Sequence, residues 1–466
     1  MNKFKTVSSS KIRSLGANLY HFVHPASGAK HFHIEVEDDN NAFLVGFPTL
    51  PTDSTGIAHI LEHTVLCGSK KYPVRDPFFM MLRRSLNTYM NAFTAPDATA
   101  YPFATRNKKD FYNLLSVYLD AVFNPNLNVL DFAQEGWRFE LSIDKNNQPT
   151  LKYHGVVYNE MKGAMSSPNA QLWNHVHAGL FPDTTYSHNS GGDPKSIPDL
   201  THEALCQFHK RYYNPSNAVF MTYGDLPYEE HQAFIIENSL TQDFQSVPGI
   251  EAPFQNAFRE RVELNECYQA AETMDGTAQV VWAWVCGSSL NALEVVELNF
   301  FATILLEHSA SPLMYFLETT ENANAPSDLC GVDDSAQQLV FICGLDGVKT
   351  GAISGIDAQL ELFFERLAET GVAESILQAS IDKLELEQRD WDSGSYPKGL
   401  SLMGRILGAA IYNGDPVSLL NIDPIIEKIR AQISDPLYFK SLVNKFINNN
   451  LHAARIVMNA RTGPDP

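Results

Sequence analysis

The same order of predicted strands and helices occurs twice in this chain of 466 residues, and that repetition constrains the fold more than any other feature. Before residues 246–253, apolar alternation predicts strands and 3.6-residue periodicity predicts helices, with strands at 19–23, 31–36, 42–47, 86–94, 98–104 and 218–223 and helices at 56–67, 108–123, 155–166 and 201–213. After residues 246–253, strands at 279–286 and 338–344 alternate with helices at 293–308 and 356–367. Because Pro and Gly in 246–253 are typical of a linker, we expect an α/β (α+β) chain of two homologous units, residues 1–248 and 249–466.

Charge and composition exclude several classes of protein. The chain has 34 Lys and Arg against 54 Asp and Glu, a formal charge of −20, which argues against a phosphate-binding surface and hence against a nucleic-acid partner. No run of 18 apolar residues is available for a membrane helix. The six cysteines include no CxxC pair, and residues 1–16 lack the apolar core of a secretory signal. We therefore expect a cytoplasmic protein with reduced cysteines and no membrane partner.

The pattern H-x-x-E-H occurs in the predicted helix at 56–67, as His59, Glu62 and His63. Residues four apart lie on one face of a helix, so both imidazoles can bind one zinc ion. Glu62 is adjacent in sequence to His63, where a carboxylate can take a proton from water and later give it to a leaving amine. Two histidines and a glutamate in an otherwise apolar helix would be costly without such a partner. The motif therefore predicts one zinc ion per chain and hydrolytic chemistry.

A catalytic zinc site needs a third protein ligand and an open fourth position. Glu160, on the predicted helix at 155–166, is the best candidate, although a glutamate there is by itself more typical of a solvated helix surface. The second unit contains a partial echo of the motif, Ile304-Leu305-Leu306-Glu307-His308, in which Ile304 replaces the first histidine. It indicates either a metal site that is absent from the second unit or a chance similarity.

Through His59, Glu62, His63 and Glu160, the chain resembles the inverted-motif zinc peptidases of the pitrilysin/insulinase family. Within that family it resembles the presequence-protease branch. The resemblance extends over essentially the whole chain, and its most specific segments are 54–73, 86–94, 134–137, 155–163, 189–201, 212–218 and 394–401. It implies two homologous units, each a mostly antiparallel sheet packed by helices, with no metal site in the second.

The resemblance also implies roles for individual residues. His59, His63 and Glu160 correspond to the zinc ligands and Glu62 to the general base, while Asn91, Ala92, Phe93 and Thr94 correspond to an edge strand that pairs with the backbone of an extended peptide. Strand addition reads main-chain groups and therefore demands an unfolded substrate.

The chain also departs from the family pattern at one position. Many relatives carry a second acidic residue seven positions before the ligand glutamate, but here that position is Tyr153. Glu135 is a weak candidate for the missing carboxylate. Cys67, one turn after His63, is either close to the site or, more in keeping with its type, a buried inert thiol.

The predicted function is a zinc metalloendopeptidase that degrades unstructured peptides. Two alternatives remain open, a subunit of a two-chain processing peptidase and a non-catalytic structural member of the family. Presequence-protease relatives are about twice this length, so the resemblance also implies that the chain is an N-terminal half whose partner is the missing C-terminal half. We expect this half to be weak or inactive alone, because the relatives supply an Arg and a Tyr over the scissile carbonyl from their second half.

Overall fold

A computed structural model describes residues 3–144, 147–240, 249–251, 254–269, 276–389, 394 and 396–461. The described residues belong to two compact units, the first within 1–164, 188–252 and 390–421 and the second within 165–187, 253–389 and 422–466. Of the predicted linker, residues 246–248, 252 and 253 lie outside the described residues. Compactness does not test homology, so the predicted division at 248/249 stays a prediction.

The strands form two large sheets and one two-stranded ribbon. In chain order they are β1 (Lys5–Ile12), β2 (Ala17–Val23), β3 (Lys30–Glu35), β4 (Asn41–Pro48), β5 (Asn87–Met90), β6 (Phe93–Thr94), β7 (Ala98–Thr105), β8 (Arg138–Ile143), β9 (Pro149–His154), β10 (Val219–Gly224), β11 (Val262–Gln269), β12 (Thr277–Ser288), β13 (Ala325–Pro326), β14 (Gly331–Asp333), β15 (Gln338–Lys349) and β16 (Ala453–Arg461).

Helices separate several of these strands along the chain. They are α1 (Ile57–Val65), α2 (Pro77–Arg84), α3 (Lys108–Phe123), α4 (Val129–Glu135), α5 (Val156–Ala164), α6 (Pro168–Leu180), α7 (His202–Tyr212), α8 (Tyr228–Ser239), α9 (Ala292–Leu306), α10 (Pro312–Glu318), α11 (Ile353–Thr370), α12 (Glu374–Arg389), α13 (Lys398–Ile411), α14 (Pro416–Leu420), α15 (Asp423–Gln432) and α16 (Pro436–Val443). Among the described helices, none combines the length and the apolar character that a membrane crossing requires.

The two large sheets share one topology. The first has the order β1-β2-β3-β10-β4-β7-β5, with β6 also paired to β7, and only its β3–β10 pair is parallel. The second has the order β11-β16-β12-β15-β13, with β14 also paired to β15, and only its β11–β16 pair is parallel. The strand order β3-β10-β4-β7-β5 in the first sheet thus corresponds, strand for strand, to the order β11-β16-β12-β15-β13 in the second sheet. The predicted α/β architecture of two mostly antiparallel sheets packed by helices is confirmed.

The echo of the motif does not occupy the position of the motif. In the first unit His59 and His63 lie inside α1, which follows β4, whereas in the second unit His308 lies beyond the end of α9, which follows β12. The two segments therefore stand at different points of their helices, which favours a chance similarity over a lost metal site.

Each large sheet is covered on one face by a helix from a distant part of the sequence. Helix α13 packs on the first sheet, where a Cβ on Gly46 of β4 would lie 2.8 Å from Leu407 Cδ1. Helix α6 packs on the second sheet, where a Cβ on Gly179 would lie 3.0 Å from Leu264 Cδ1 of β11. We call this arrangement the helix exchange, because α6 lies in sequence among first-unit segments and α13 among second-unit segments.

A cluster of buried histidines lies between α8 and the first sheet, where the ring centroids of His33 and His231 are 6.0 Å apart. Thr222 Oγ1 of β10 lies 2.8 Å from both His31 Nε2 and His33 Nδ1 of β3, and Tyr112 OH lies 3.2 Å from His231 Nδ1 of α8. Burial lowers the pKa of His33 to about 4 and that of His231 to about 3, and it holds the pKa of His31 well below its usual value. The folded protein therefore keeps all three imidazoles neutral at neutral pH.

We expect acid to destabilise the first unit through this cluster. The histidines titrate near pH 6.5 when unfolded but only near pH 4 or below when folded, so the unfolded state binds more protons as the pH falls below 6.5. For His33 alone, the free energy of unfolding should fall by about 2 kcal/mol between pH 7.5 and pH 5. Urea unfolding at both pH values measures this loss. His231→Phe should reduce the pH dependence by about one proton, and an unchanged slope in that variant would contradict the assignment.

Candidate metal centre and active site

A glycine stands directly before the helix that carries the motif. Gly56 has φ 69° and precedes α1, and a Cβ there would lie 2.8 Å from the carbonyl O of Gly191. Asp53, Ser54 and Thr55 belong to residue types that favour helix N-caps, but none of them caps α1. Asp53 Oδ1 instead accepts from Thr55 N at 2.9 Å, and Ser54 Oγ accepts from the backbone N–H of a residue in the 189–194 loop at 3.1 Å. Left-handed geometry and close backbone approach both require glycine at position 56.

This approach orients the first histidine. The Nδ1–H of His59 donates to the carbonyl O of Gly191 at 3.0 Å. Because Nδ1 carries the proton, Nε2 keeps its lone pair free to bind a metal. His59 is nearly buried, with a side chain 12% exposed, so its ring has little freedom to turn away.

Glu135 orients the second histidine in the same way. Its Oε2 lies 3.2 Å from His63 Nδ1. Burial alone lowers the pKa of His63, but the hydrogen bond to Glu135 and the nearby carboxylates outweigh burial and raise it. Burial conversely raises the pKa of Glu135, and the hydrogen bonds to His63 and Gln134 lower it by more. The carboxylate therefore stays charged and leaves His63 Nε2 available, as in carboxylate–histidine–metal arrangements.

Glu160 of α5 completes a set of three donors. One ligand atom from each of His59, His63 and Glu160 lies within 4.8 Å of the other two, and the Glu160 Oε2 to His59 Nε2 distance is 3.8 Å. Within the described ranges this is the one group of three His, Cys, Asp or Glu side chains placed closely enough to hold a metal ion. Two imidazoles and one carboxylate are the donor set of one class of catalytic zinc site. The residues present therefore fit a zinc ion.

Glu62 lies beside these donors but takes no part in the set. Its side chain is buried and accepts a hydrogen bond from Thr94 Oγ1 at 2.6 Å. Burial raises the pKa of Glu62, against the lowering effects of the Thr94 hydrogen bond and of the two histidines. A buried carboxylate held in one orientation by a hydroxyl is suited to accept a proton from water rather than to sit in solvent as a counter-ion.

The predicted peptide-binding segment 91–94 lies at the rim of the first sheet. Only Phe93 and Thr94 form a strand, β6, which pairs with β7. Asn91 is exposed, and its backbone N–H donates to the carbonyl O of Pro102 at 3.1 Å. Thr94 thus has a contact that the sequence did not predict, because its hydroxyl binds the candidate base while its backbone belongs to the edge strand.

A ribbon is inserted between Glu135 and Glu160 in the sequence. Glu135 stands 25 residues before Glu160, and 18 of those residues, 137–154, carry the β8–β9 ribbon. The ribbon returns on itself so closely that a Cβ on Gly155 would collide with the carbonyl O of Gly136. Without the ribbon, Glu135 would stand seven residues before Glu160, which is the spacing that Tyr153 has in the continuous sequence. Tyr153 itself is on β9, stacked against Phe139.

Cys67 lies close to the site but shows no sign of reactivity. Its Sγ donates to the carbonyl O of His63 at 3.5 Å, and its side chain is buried. Burial raises the pKa of the thiol far above its usual value, so the nucleophilic thiolate is not formed near neutral pH. This geometry favours a structural thiol.

We expect Glu135→Gln to weaken zinc binding without abolishing it. The amide no longer attracts the proton on His63 Nδ1 by its charge, and loss of such an outer partner typically costs about 10–100-fold in metal affinity. Competition with a chromophoric chelator measures the change. Glu140→Gln, which removes an exposed carboxylate of β8, should bind zinc as the parent does. Equal affinity in both variants would exclude an orienting role for Glu135.

Comparisons with known proteins place these residues in a family. Residues 49–186, which contain the three motif residues, Glu135 and Glu160, match the family described as Insulinase (Peptidase family M16). Residues 199–382 match the family described as Peptidase M16 inactive domain. A solved protease from Helicobacter pylori has the same fold, with a TM-score of 0.70 at 15% identity, over 98% of this chain and 100% of that one.

Two curated relatives are similar over nearly the whole chain. The mitochondrial presequence protease of Danio rerio is 39% identical over 439 residues, 93% of this chain and 43% of that protein. Protein HypA of Clostridium perfringens is 36% identical over 464 residues, 99% of this chain and 47% of that protein. The chain thus spans less than half the length of the curated relatives it matches. On the two family matches and these relatives, the chain belongs to the insulinase/pitrilysin family of peptidases, in its presequence-protease branch.

Proposed function

We propose that this chain is a zinc-dependent endopeptidase unit that hydrolyses unstructured peptides. The observation that carries the proposal is the convergence of His59, His63 and Glu160 donor atoms within 4.8 Å, with the buried carboxylate of Glu62 beside them. When bound by these three residues, zinc would supply Lewis acidity toward water and toward the peptide carbonyl.

The chain's own residues supply the proton transfers and the positioning. Glu62, whose pKa burial raises, accepts a proton from the attacking water and returns it to the leaving amine. Thr94 Oγ1 holds the Glu62 carboxylate in one orientation at 2.6 Å. Gly191 and Glu135 fix the two imidazole rings through Nδ1.

Substrate selection is proposed to depend on main-chain pairing at segment 91–94. β6 is two residues long and pairs only with β7 among the described strands, so its outer edge has main-chain groups available to an extended peptide. A folded protein cannot present such a strand, whereas an unfolded peptide can. Selection of this kind depends on whether the substrate is unfolded and depends little on its sequence.

Because the curated relatives are more than twice as long, we propose that full activity needs a counterpart of their remaining part, the expected C-terminal half. Each hydrogen-bond donor missing from the developing oxyanion typically costs about 10²–10³ in rate. The processing-peptidase alternative shares the chemistry but uses a second chain as the counterpart. The non-catalytic alternative is disfavoured, since His59, Glu62, His63 and Glu160 are all present. The cytoplasmic location stays a prediction, and the Danio rerio relative is named as mitochondrial.

One experiment tests the proposal. An internally quenched, unstructured peptide is incubated with the purified chain, first alone and then with any downstream half encoded by the same gene. We expect one zinc per chain, slow hydrolysis alone, faster hydrolysis with the counterpart, loss of activity with a chelator and recovery with zinc. Zinc-free protein, or hydrolysis that a chelator leaves unchanged, would contradict a zinc peptidase, and full activity of the isolated chain would contradict the need for a counterpart.

A further inference from the structure

The second unit contains a cavity of about 350 Å³ that is bordered by α11 and by the strands β12 and β16. Strand β12 contributes Trp282 and Trp284, which lie on one face of the strand because they are two residues apart. Helix α11 contributes Leu360 and Phe364, which are one turn apart on the same face. The volume lies within the range of pockets that take small molecules. The described lining belongs to the second unit, whereas the candidate metal donors belong to the first.

Contacts within the protein hold the walls of this cavity in place. The ring centroids of Trp284 and Phe364 are 5.8 Å apart with an interplanar angle of 74°, an edge-to-face arrangement. Helix α16 continues into a single π-helical turn, Asn444–Asn448, where the side-chain amide of Asn448 donates to the carbonyl O of Phe364 at 3.4 Å. Turns of this kind are rare and occur frequently at functional sites. The cavity is therefore largely preformed, as binding sites for small molecules usually are.

The arginine of the lining is already paired with carboxylates. Asp357 Oδ2 accepts from Arg261 Nη2 at 3.0 Å and from Arg455 Nη1 at 2.6 Å, and Asp357 Oδ1 accepts from Trp282 Nε1 at 2.6 Å. Arg261 Nη1 also donates to Glu361 Oε1 at 3.2 Å. Among the described lining residues Arg261 is the one cation, so the cavity offers an anionic ligand no unpaired positive charge.

Glu365 is the charged group of the lining that has no partner. It is exposed and lies one turn after Glu361 on α11, and no ion pair or hydrogen bond among the described residues involves its carboxylate. The described lining has three carboxylates against one guanidinium, so its electrostatic potential favours a cation. Leu451, whose exposed fraction is 54%, adds apolar surface to the same cavity. A ligand that suits these groups combines a positive charge with an apolar body.

We propose that this cavity binds a small organic cation, a protonated amine on a flat apolar body. The ammonium group pairs with Glu365, and the apolar body lies against Trp284, Phe364 and Leu451. The indole face also attracts a cation directly, which adds to the preference for an amine. No candidate metal donor lines the cavity, so the ligand site stands or falls independently of the proposed peptidase chemistry.

Isothermal titration calorimetry of the full chain with phenethylamine tests this site. Phenylacetate is the control ligand, because it has the same ring and the opposite charge. We expect phenethylamine to bind saturably at one site per chain and phenylacetate to bind at least about tenfold more weakly, since contacts with charged groups discriminate by that much. No saturable binding of phenethylamine, or equal binding of the two ligands, would overturn the proposal.

Two pairs of variants assign the binding to the cavity. Glu365→Gln should weaken phenethylamine binding about tenfold, and Glu369→Gln, which changes an exposed glutamate of α11 outside the lining, should bind as the parent does. Leu451→Ser should weaken it about fourfold or more, the effect of one lost CH₂ contact, whereas Leu362→Ser on the exposed face of α11 should not. All four side chains are exposed, so we expect each variant to fold. Parental affinity in Glu365→Gln, or loss of binding in either control, would overturn the assignment.

Discussion

Glu62→Gln is expected to lower peptide hydrolysis by about 10²–10⁴-fold while leaving the zinc content near one per chain. The amide keeps the shape of the side chain and can still bond to the Thr94 hydroxyl, but it cannot accept a proton from water. A loss of this size corresponds to about 3–5 kcal/mol of transition-state stabilisation. Initial rates on a quenched peptide, in whichever assembly is active, are measured together with the metal content of the same sample.

The control for this variant is Glu237→Gln, which removes an exposed carboxylate of α8 away from the donor set. It should hydrolyse the peptide at the parental rate. Retained turnover in Glu62→Gln would show that another group accepts the proton, and loss of zinc together with activity would show that Glu62 is a ligand.

His63→Ala is expected to abolish stable zinc binding. The substitution leaves His59 and Glu160 as the only protein donors of the set, and it also frees Glu135 from its partner. A catalytic zinc site relies on three protein ligands, so two hold the ion poorly. Elemental analysis after dialysis should find zinc largely lost and hydrolysis lost with it.

The chance echo in the second unit provides a matched control for the ligand. His308 also follows a glutamate, but it is exposed and lies beyond the end of α9. His308→Ala should keep one zinc per chain and full activity. Full zinc occupancy in His63→Ala would mean that the ligands are misassigned.

The parts of the site that were predicted from the sequence are those set by local rules. Helix α1 and the shared face of His59 and His63 follow from 3.6-residue periodicity, and the structure places them so. The role of Glu160 came only from the resemblance, since nothing local distinguishes it from a surface glutamate. Glu135 was only a weak candidate because position counting cannot recognise an inserted ribbon, although Gly136 and Gly155 at its base were visible in the sequence.

The arrangement of the sheets needed the structure for a different reason. Periodicity predicted that segments such as 42–47 are strands, but it says nothing about which strand pairs with which. Likewise, the sequence of an amphipathic helix shows which face is buried, but it does not show which element packs against that face. The helix exchange of α6 and α13 is therefore invisible in the sequence, because the choice of sheet depends on tertiary packing over more than a hundred residues.

The helix exchange has a consequence for the order in which the protein matures on the ribosome. The last strand of the first sheet, β10, ends at Gly224, yet α13, which covers one face of that sheet, begins at Lys398. During the translation of the residues between them, the nascent sheet has an apolar face that no later segment has yet covered. We expect arrested nascent chains that stop before Lys398 to be cleaved rapidly by added protease, and those that include α13 to resist; equal resistance would show that the face is protected earlier. The first unit is therefore completed only after most of the chain has been made.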